Sequence, residues 1–375
     1  MEMLFSLTYG YEGLNNPWRM ILIVLYLAIG LVLIIKGGDW FVDSASWIAE
    51  KFKIPKLIIG ATIVSFATTL PEFLVSVFAA IEGVQGVAGS EGAIDMATGN
   101  AIGSVIANTG LIMSLSILFM PVKVNRKTFI IKPLILIFSV ALLLIFSIDQ
   151  KLYWWESIFM ILILIGFLVD NVLEAKSQMK KEAALATNRG PNPTPVSPSS
   201  SLEKKEEIKE EGVKSEEKPE KVTKDWVHIV FFILGVIGIV AGAQLLVDNA
   251  TAFATEIGVP DKIIAITVVA IGTSLPELIT TVTAIVKKQS DLSVGNVLGA
   301  NIIDMCLILA VCSFIYGSYL PVHLSTLYLD LPFALGIIGF ATIPTMINQK
   351  LSRWQGCVTL ALYATYLVLS CTLTF

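Results

Sequence analysis

The chain has 375 residues, 55% of them hydrophobic and only 15% charged, with a mean hydropathy of +0.77 and a formal net charge of −4. Soluble domains carry about 25% charged residues, which argues against a single water-soluble fold, and the charge balance argues against nucleic-acid binding, which needs a basic patch. Of the 56 charged side chains, 21 fall between Glu174 and Lys224, so the composition reads as a polytopic membrane protein interrupted by one water-soluble segment.

Residues 1–17 contain no Lys or Arg and so lack the basic stretch that opens a signal peptide. A hydrocarbon layer of about 30 Å needs about 20 mostly apolar residues to cross it. On that ruler the sequence predicts an all-α protein of ten transmembrane helices. They lie near 19–38, 55–80, 97–119, 128–148 and 152–173, then 226–248, 260–286, 293–315, 325–347 and 354–374. All seven tryptophans fall at or near span ends, as interfacial belts do. Cys306, Cys312, Cys357 and Cys371 lie in apolar runs without a CxxC pair and read as small core residues.

With the N-terminus outside, ten short-loop cations face the cytoplasm, from Lys51, Lys53 and Lys56 to Lys350 and Arg353. Only Arg19, Lys151 and Lys262 then remain outside, which is the positive-inside bias. The chain thus divides into a first five-helix unit, 1–173, a cytoplasmic linker, 174–225, and a second five-helix unit, 226–375. The linker opens Pro/Ser/Asn-rich and continues as a Glu/Lys block. With almost nothing apolar to bury, it reads as disordered or as a frayed, solvated helix.

The two units are duplicates. Residues 43–72 align without a gap on 248–277 with 12 of 30 positions identical, ending in Leu70-Pro71-Glu72 and Leu275-Pro276-Glu277. Gly99-Asn100-x-x-Gly103 matches Gly295-Asn296-x-x-Gly299, and Asp149-Gln150-Lys151-Leu152 matches Asn348-Gln349-Lys350-Leu351. Five spans each is an odd number, so the second unit enters the membrane from the opposite side. Inverted repeats of this kind mark secondary transporters, with the site near the midplane.

Spans two and seven each place a Pro-Glu pair in mid-membrane. A proline has no N–H for the carbonyl four residues back, so Pro71 frees the carbonyl of Ala67 and Pro276 that of Gly272. Free carbonyls inside a membrane require protein, water or an ion. Thr68, Thr69, Thr273 and Ser274 add hydroxyls, and Thr68/Glu72 and Thr273/Glu277 are spaced i, i+4 on one helix face. Spans three and eight supply Asn100, Ser104 and Asn108, with counterparts Asn296, Ala300 and Asp304, and their GxxxG pairs permit close helix approach. The donor set is all oxygen, which suits a hard cation such as calcium rather than zinc or copper. Asp43 and Asp248 read as caps or interfacial anchors. Carboxylates this deep are expensive, which makes Glu72 and Glu277 functional rather than packing residues.

At these residues the sequence resembles the cation/calcium exchanger superfamily, in its sodium/calcium exchanger branch, over nearly the whole chain. The family's motifs G-[TS]-S-x-P-[ED] and G-N-x-x-G-S-N-x-x-[ND] have counterparts here in order, twice, at 67–72 and 99–108 and again at 272–277 and 295–304. The resemblance implies antiport of Ca2+ against Na+ by alternating access, with no cofactor, no enzyme activity and a monomer as the working unit in the plasma membrane. It also implies roles. Glu72, Glu277, Thr68, Thr273, Asn108 and Asp304 correspond to the central calcium site, and Ala67, Thr69, Ser104, Gly272 and Ser274 to sodium sites.

Departures from the family pattern are Ala67 for Gly, Thr69 for Ser, Val105 for Asn and Ala300 for a sodium-binding Ser. Asp304 in place of Asn resembles prokaryotic and potassium-dependent members, which leaves K+ co-transport open. Ala300 leaves H+/Ca2+ antiport open, although the G-N-x-x-E motif of the proton-coupled branch is absent. A passive channel is a further alternative. Gly37-Gly38-Asp39 does not complete the motif of an intramembrane protease.

Overall fold

The computed structural model describes residues 16–85, 93–187, 225–256 and 274–372, and these fold almost entirely into helix. Helix α1 spans Asn16–Phe52, and α2 runs through Lys56–Thr68 with a π-helical segment at Gly60–Val64. A break at Thr69 turns the chain by 44° into α3, Leu70–Gln85. Helix α4 starts as Ala93–Ala107, passes through a π-segment at Asn108–Met113 and ends as Ser114–Phe119. Strand β1 (Val122–Lys123), α5 (Ile131–Phe146), β2 (Lys151–Tyr153) and α6 (Trp154–Thr187) complete the first half.

The second half begins with α7, Asp225–Glu256, and resumes at α8, Leu275–Val286. Helix α9 is Ser290–Ile303, then a π-segment at Asp304–Ile308, then Leu309–Tyr316. Strand β3 (Tyr319–Pro321) leads to α10, which opens as a π-segment at Thr326–Asp330 and continues as Leu331–Asn348. Strand β4 (Lys350–Leu351) and α11 (Arg353–Thr372) close the chain. By length and composition seven described helices can cross a membrane, or eight when α2 and α3 count as one broken span.

Two boundaries differ from the sequence reading. Helix α1 continues well past residue 38, through Asp39 and Asp43, because both carboxylates find the Lys287 ammonium at 3.2 and 2.8 Å. Helix α6 runs on to Thr187, so the first residues assigned to the linker are helical. Its extension is rich in Ala, Lys, Glu, Gln and Met, all good helix formers. Glu174 is also anchored, 3.1 Å from the fully buried Lys132 ammonium of α5. Residues 188–224, and with them the Pro/Ser-rich part of the linker, lie outside the described residues.

Burial ranks the helices. In the most apolar stretches of α4 and α9, 72% and 78% of residues are buried, against 22% in those of α1 and α6. The main core lies around α4, α5, α9 and α10, with Ile102, Val105, Ile106, Leu136, Leu298, Ile302 and Ile337 at its centre. Helix α1 packs on α7 through facing glycines, where a Cβ on Gly37 would sit 2.7 Å from the Ile239 nitrogen. A second close crossing joins α2 to α9. A Cβ on Gly60 would meet the Leu292 carbonyl, and one on Gly295 or Gly299 the carbonyl of Leu57 or Ala61.

Two short antiparallel ribbons connect the halves. Strand β1 pairs with β4 (Val122 opposite Leu351), and β2 with β3 (Leu152 opposite Leu320). The duplicated Gln150 and Gln349 both adopt left-handed backbone, with φ of 63° and 54°. Their carbonyls accept from the Val322 and Val124 N–H groups at 2.9 and 3.0 Å. The sequence match in these turns therefore extends to the backbone and its hydrogen bonds.

Candidate cation site

Two helix starts set the geometry. Thr69 (φ −81°, ψ −3°) ends α2, and Ser274 (φ −88°, ψ 9°) precedes α8. Pro71 and Pro276 fall in the first turn of the helices that follow, where a missing N–H costs nothing. Each glutamate therefore occupies a helix first turn: Glu72 in α3 and Glu277 in α8. Unpaired N–H groups make a helix start the positive end of its dipole, which favours carboxylates there.

The carboxylates are sealed in. Glu72, Glu277 and Asp304 are each at most 1% exposed. Both oxygens of Glu72, both of Asp304 and one of Glu277 have no hydrogen-bond partner among the described residues. Glu72 lies within electrostatic reach of both Glu277 and Asp304. Across the break, Thr69 Oγ1 donates to Glu277 Oε1 at 3.4 Å, which links the two halves at the carboxylates. Among the described residues no three Asp, Glu, His or Cys side chains close into one metal-binding group. A cation held here would rely on the glutamates together with carbonyl, hydroxyl and amide oxygens.

Around this pair the remaining residues fall at matched places. Asn108 and Asp304 each open a π-segment, in α4 and α9, and such widened turns recur at functional sites. Asn108 Oδ1 and Ser274 Oγ are buried without partners among the described residues. Ala67, Thr68, Thr69 and Ser104 are buried as well. Thr68 and Glu72 stand on opposite sides of the break rather than on one continuous helix face. Thr68 Oγ1 lies 3.3 Å from Asn296 Oδ1, and Asn100 Nδ2 donates to the Glu72 carbonyl at 3.2 Å and to Ser76 Oγ at 2.9 Å. Gly272 and Thr273 lie outside the described residues.

Sequence reasoning missed the ties between the helices. Asn301 Nδ2 donates to Thr109 Oγ1 at 2.6 Å, which joins α9 to α4 beside Asn108 and Asp304. Ser65 Oγ lies 2.9 Å from the Asn296 carbonyl at the α2–α9 crossing. A signal for the first existed: Asn301 aligns with Val105, a polar-for-apolar difference within matched helices. Asp43 lies on α1 and pairs with Lys287, while Asp248 accepts from Gln244 at 2.9 Å.

Buried acids at helix starts within a bundle of apolar helices are the features of a membrane cation transporter. Comparison with known proteins sharpens that class. The model of the sodium/calcium exchanger protein family matches residues 22–172 and 227–372, and the chain belongs to that family. It is 30% identical over 347 residues to an uncharacterized membrane protein, MJ0091, of Methanocaldococcus jannaschii, covering 92% of this chain and 96% of that one. It is also 30% identical over 366 residues to the sodium/calcium exchanger MaX1 of Methanosarcina acetivorans, covering 92% and 97%. The solved structure of the sodium-calcium exchanger NCX_Mj soaked with 2.5 mM Na+ and 10 mM Sr2+ superimposes with a TM-score of 0.71 at 29% identity, covering 95% of this chain and all of that one. The protein is therefore a multi-pass integral membrane protein of the cation/calcium exchanger superfamily.

Proposed function

We propose that the chain exchanges Ca2+ against Na+ by alternating access, through ten transmembrane helices arranged as two inverted five-helix repeats, 1–173 and 226–375. The observation that carries this reading is the Glu72/Glu277 pair, two buried carboxylates in helix first turns with oxygens that no described residue satisfies. Anionic groups in a membrane interior need compensation, and a divalent ion or several monovalent ions supply it. Competition between the two loads for the same oxygens couples their movements, because the site reorients when either load has neutralised it.

In this reading Glu72, Glu277, Thr68, Thr273, Asn108 and Asp304 hold calcium, and Ala67, Thr69, Ser104, Gly272 and Ser274 contribute to sodium sites. The ribbons support the arrangement. Strands β1 and β4 both lie in loops assigned to the cytoplasmic side, and β2 and β3 in loops assigned to the outer side. That pairing fits the N-terminus-outside topology. The working unit is a single chain in the cell membrane.

Calcium uptake into proteoliposomes under an outward sodium gradient tests the proposal. Wild-type protein takes up calcium only with sodium inside. Glu72→Gln or Glu277→Gln removes a charge from the site and costs about 3–5 kcal/mol of cation binding, more than about 100-fold. Uptake that ignores sodium, or wild-type uptake by both variants, overturns it. Ala300, which removes one hydroxyl from the sodium-site pattern, favours a second reading as an H+/Ca2+ antiporter. Uptake driven by a pH gradient without sodium selects that reading, and a requirement for K+ selects co-transport.

A further inference from the structure

A cavity of about 720 Å³ opens at the end of the bundle that carries the β1–β4 ribbon. Its walls include Asn125 and Arg126 ahead of α5, Asp170, Glu174 and Lys181 on α6, and Gln349 at the left-handed turn before β4. The charges within it are not equivalent. Glu174 is taken up by the buried Lys132 ammonium, which also donates to the Thr128 carbonyl, both at 3.1 Å. Arg126, Lys181 and Asp170 have no ion-pair partner among the described residues, and Asp170 Oδ2 is buried without a hydrogen-bond partner among them. Two cations and one anion therefore face the same space uncompensated.

That pattern selects the occupant. A free metal ion would meet Arg126 and Lys181, and a simple anion would meet Asp170. A molecule carrying a phosphate and an ammonium a few bonds apart satisfies all three. Ile131 is the apolar residue of an otherwise polar lining, and further along the same two helices Leu134 and Leu173 present 51% and 60% of their surface. Lys181 also marks the end of the apolar stretch Trp154–Lys181, which places the cavity where a headgroup meets its acyl chains.

We propose that this cavity binds the phosphate–ammonium headgroup of a membrane phospholipid, with the phosphate on Arg126 and Lys181 and the primary ammonium on Asp170. Occupancy braces the joint between the halves, because Gln349 both lines the cavity and accepts the Val124 N–H at the ribbon.

The test uses the full chain in detergent, with native mass spectrometry and thermal unfolding as readouts. Short-chain phosphatidylethanolamine, phosphatidylglycerol, phosphatidylcholine and free phosphoethanolamine are added separately. Phosphatidylethanolamine is expected to stay bound and to raise the unfolding midpoint. Phosphatidylcholine, whose methylated nitrogen cannot donate, binds at least about 10-fold more weakly. Asp170→Asn removes the preference for phosphatidylethanolamine over phosphatidylglycerol. Arg126→Gln and Lys181→Gln weaken both lipids, and Lys181 is exposed, so its variant keeps the fold. Equal retention of all lipids, or variants indistinguishable from wild type, overturns the proposal. Free phosphoethanolamine binding as tightly as the lipid assigns the cavity to a soluble ligand and overturns the lipid assignment.

Discussion

Helices α4 and α9 have the same backbone plan and different chemistry. Both run through the most buried part of the bundle, and both widen into a π-segment, at Asn108 and at Asp304. Yet α4 presents Ser104, Val105 and Asn108 where α9 presents Ala300, Asn301 and Asp304. The formal charge sits on α9, a hydroxyl survives only on α4, and the amide that ties the two helices comes from α9. The matched backbone therefore carries unmatched side chains, so the site proposed between these helices is not symmetric.

Four substitutions probe this difference. The largest effect is expected from Gly295→Val, because its Cβ would meet the Leu57 carbonyl, a backbone atom that cannot swing aside. Overpacking there costs about 3 kcal/mol, read as a drop in the unfolding midpoint in detergent. An unchanged midpoint would mean that the α2–α9 crossing is looser than its geometry. Next, Asp304→Asn makes α9 resemble α4 in charge and weakens calcium binding by about 10–100-fold, measured by calcium titration. Adding Asn108→Asp returns the charge on the other helix. Recovery of affinity in that double variant would show that net charge outweighs position.

Asn301→Val copies Val105 into α9 and leaves Thr109 without its 2.6 Å donor. Losing a buried hydrogen bond of this kind costs about 1–2 kcal/mol. The loss is expected to shrink in a Thr109→Val background, since a double-mutant cycle isolates the shared bond. Smallest is Ala300→Ser, which restores the hydroxyl that α4 keeps at Ser104. Sodium is expected to compete with calcium a few-fold better, a gain under about 1 kcal/mol, with calcium affinity unchanged. No change in sodium competition would place residue 300 outside the sodium sites.

Much of this arrangement was legible in the sequence because membranes constrain it so strongly. Hydropathy located most of the described helices, and the Pro-Glu motifs located the break at Thr69 and the helix start after Ser274, since proline has a mechanical consequence at a fixed offset. Glu72, Glu277 and Asp304 stood out because charge is scarce within the spans. The π-segments were not legible: Asn108–Met113 and Asp304–Ile308 carry no composition that separates them from ordinary helix. The reach of α1 beyond residue 38 was hidden because its charges look like a helix end until Lys287 is placed beside them. Helix α6 continued into the charged segment for a similar reason, its Glu174 meeting a buried Lys132 from a distant part of the chain. In each case a long-range contact overrode a local signal.

The two ribbons have a consequence for how the halves stay together. Each of them pairs a strand of one half with a strand of the other, and the two lie in different sets of loops. Together with the α2–α9 crossing and the glycine seam between α1 and α7, they join the halves through contacts that do not depend on chain continuity. Cutting the backbone between Thr187 and Asp225 would leave all four of these contacts in place.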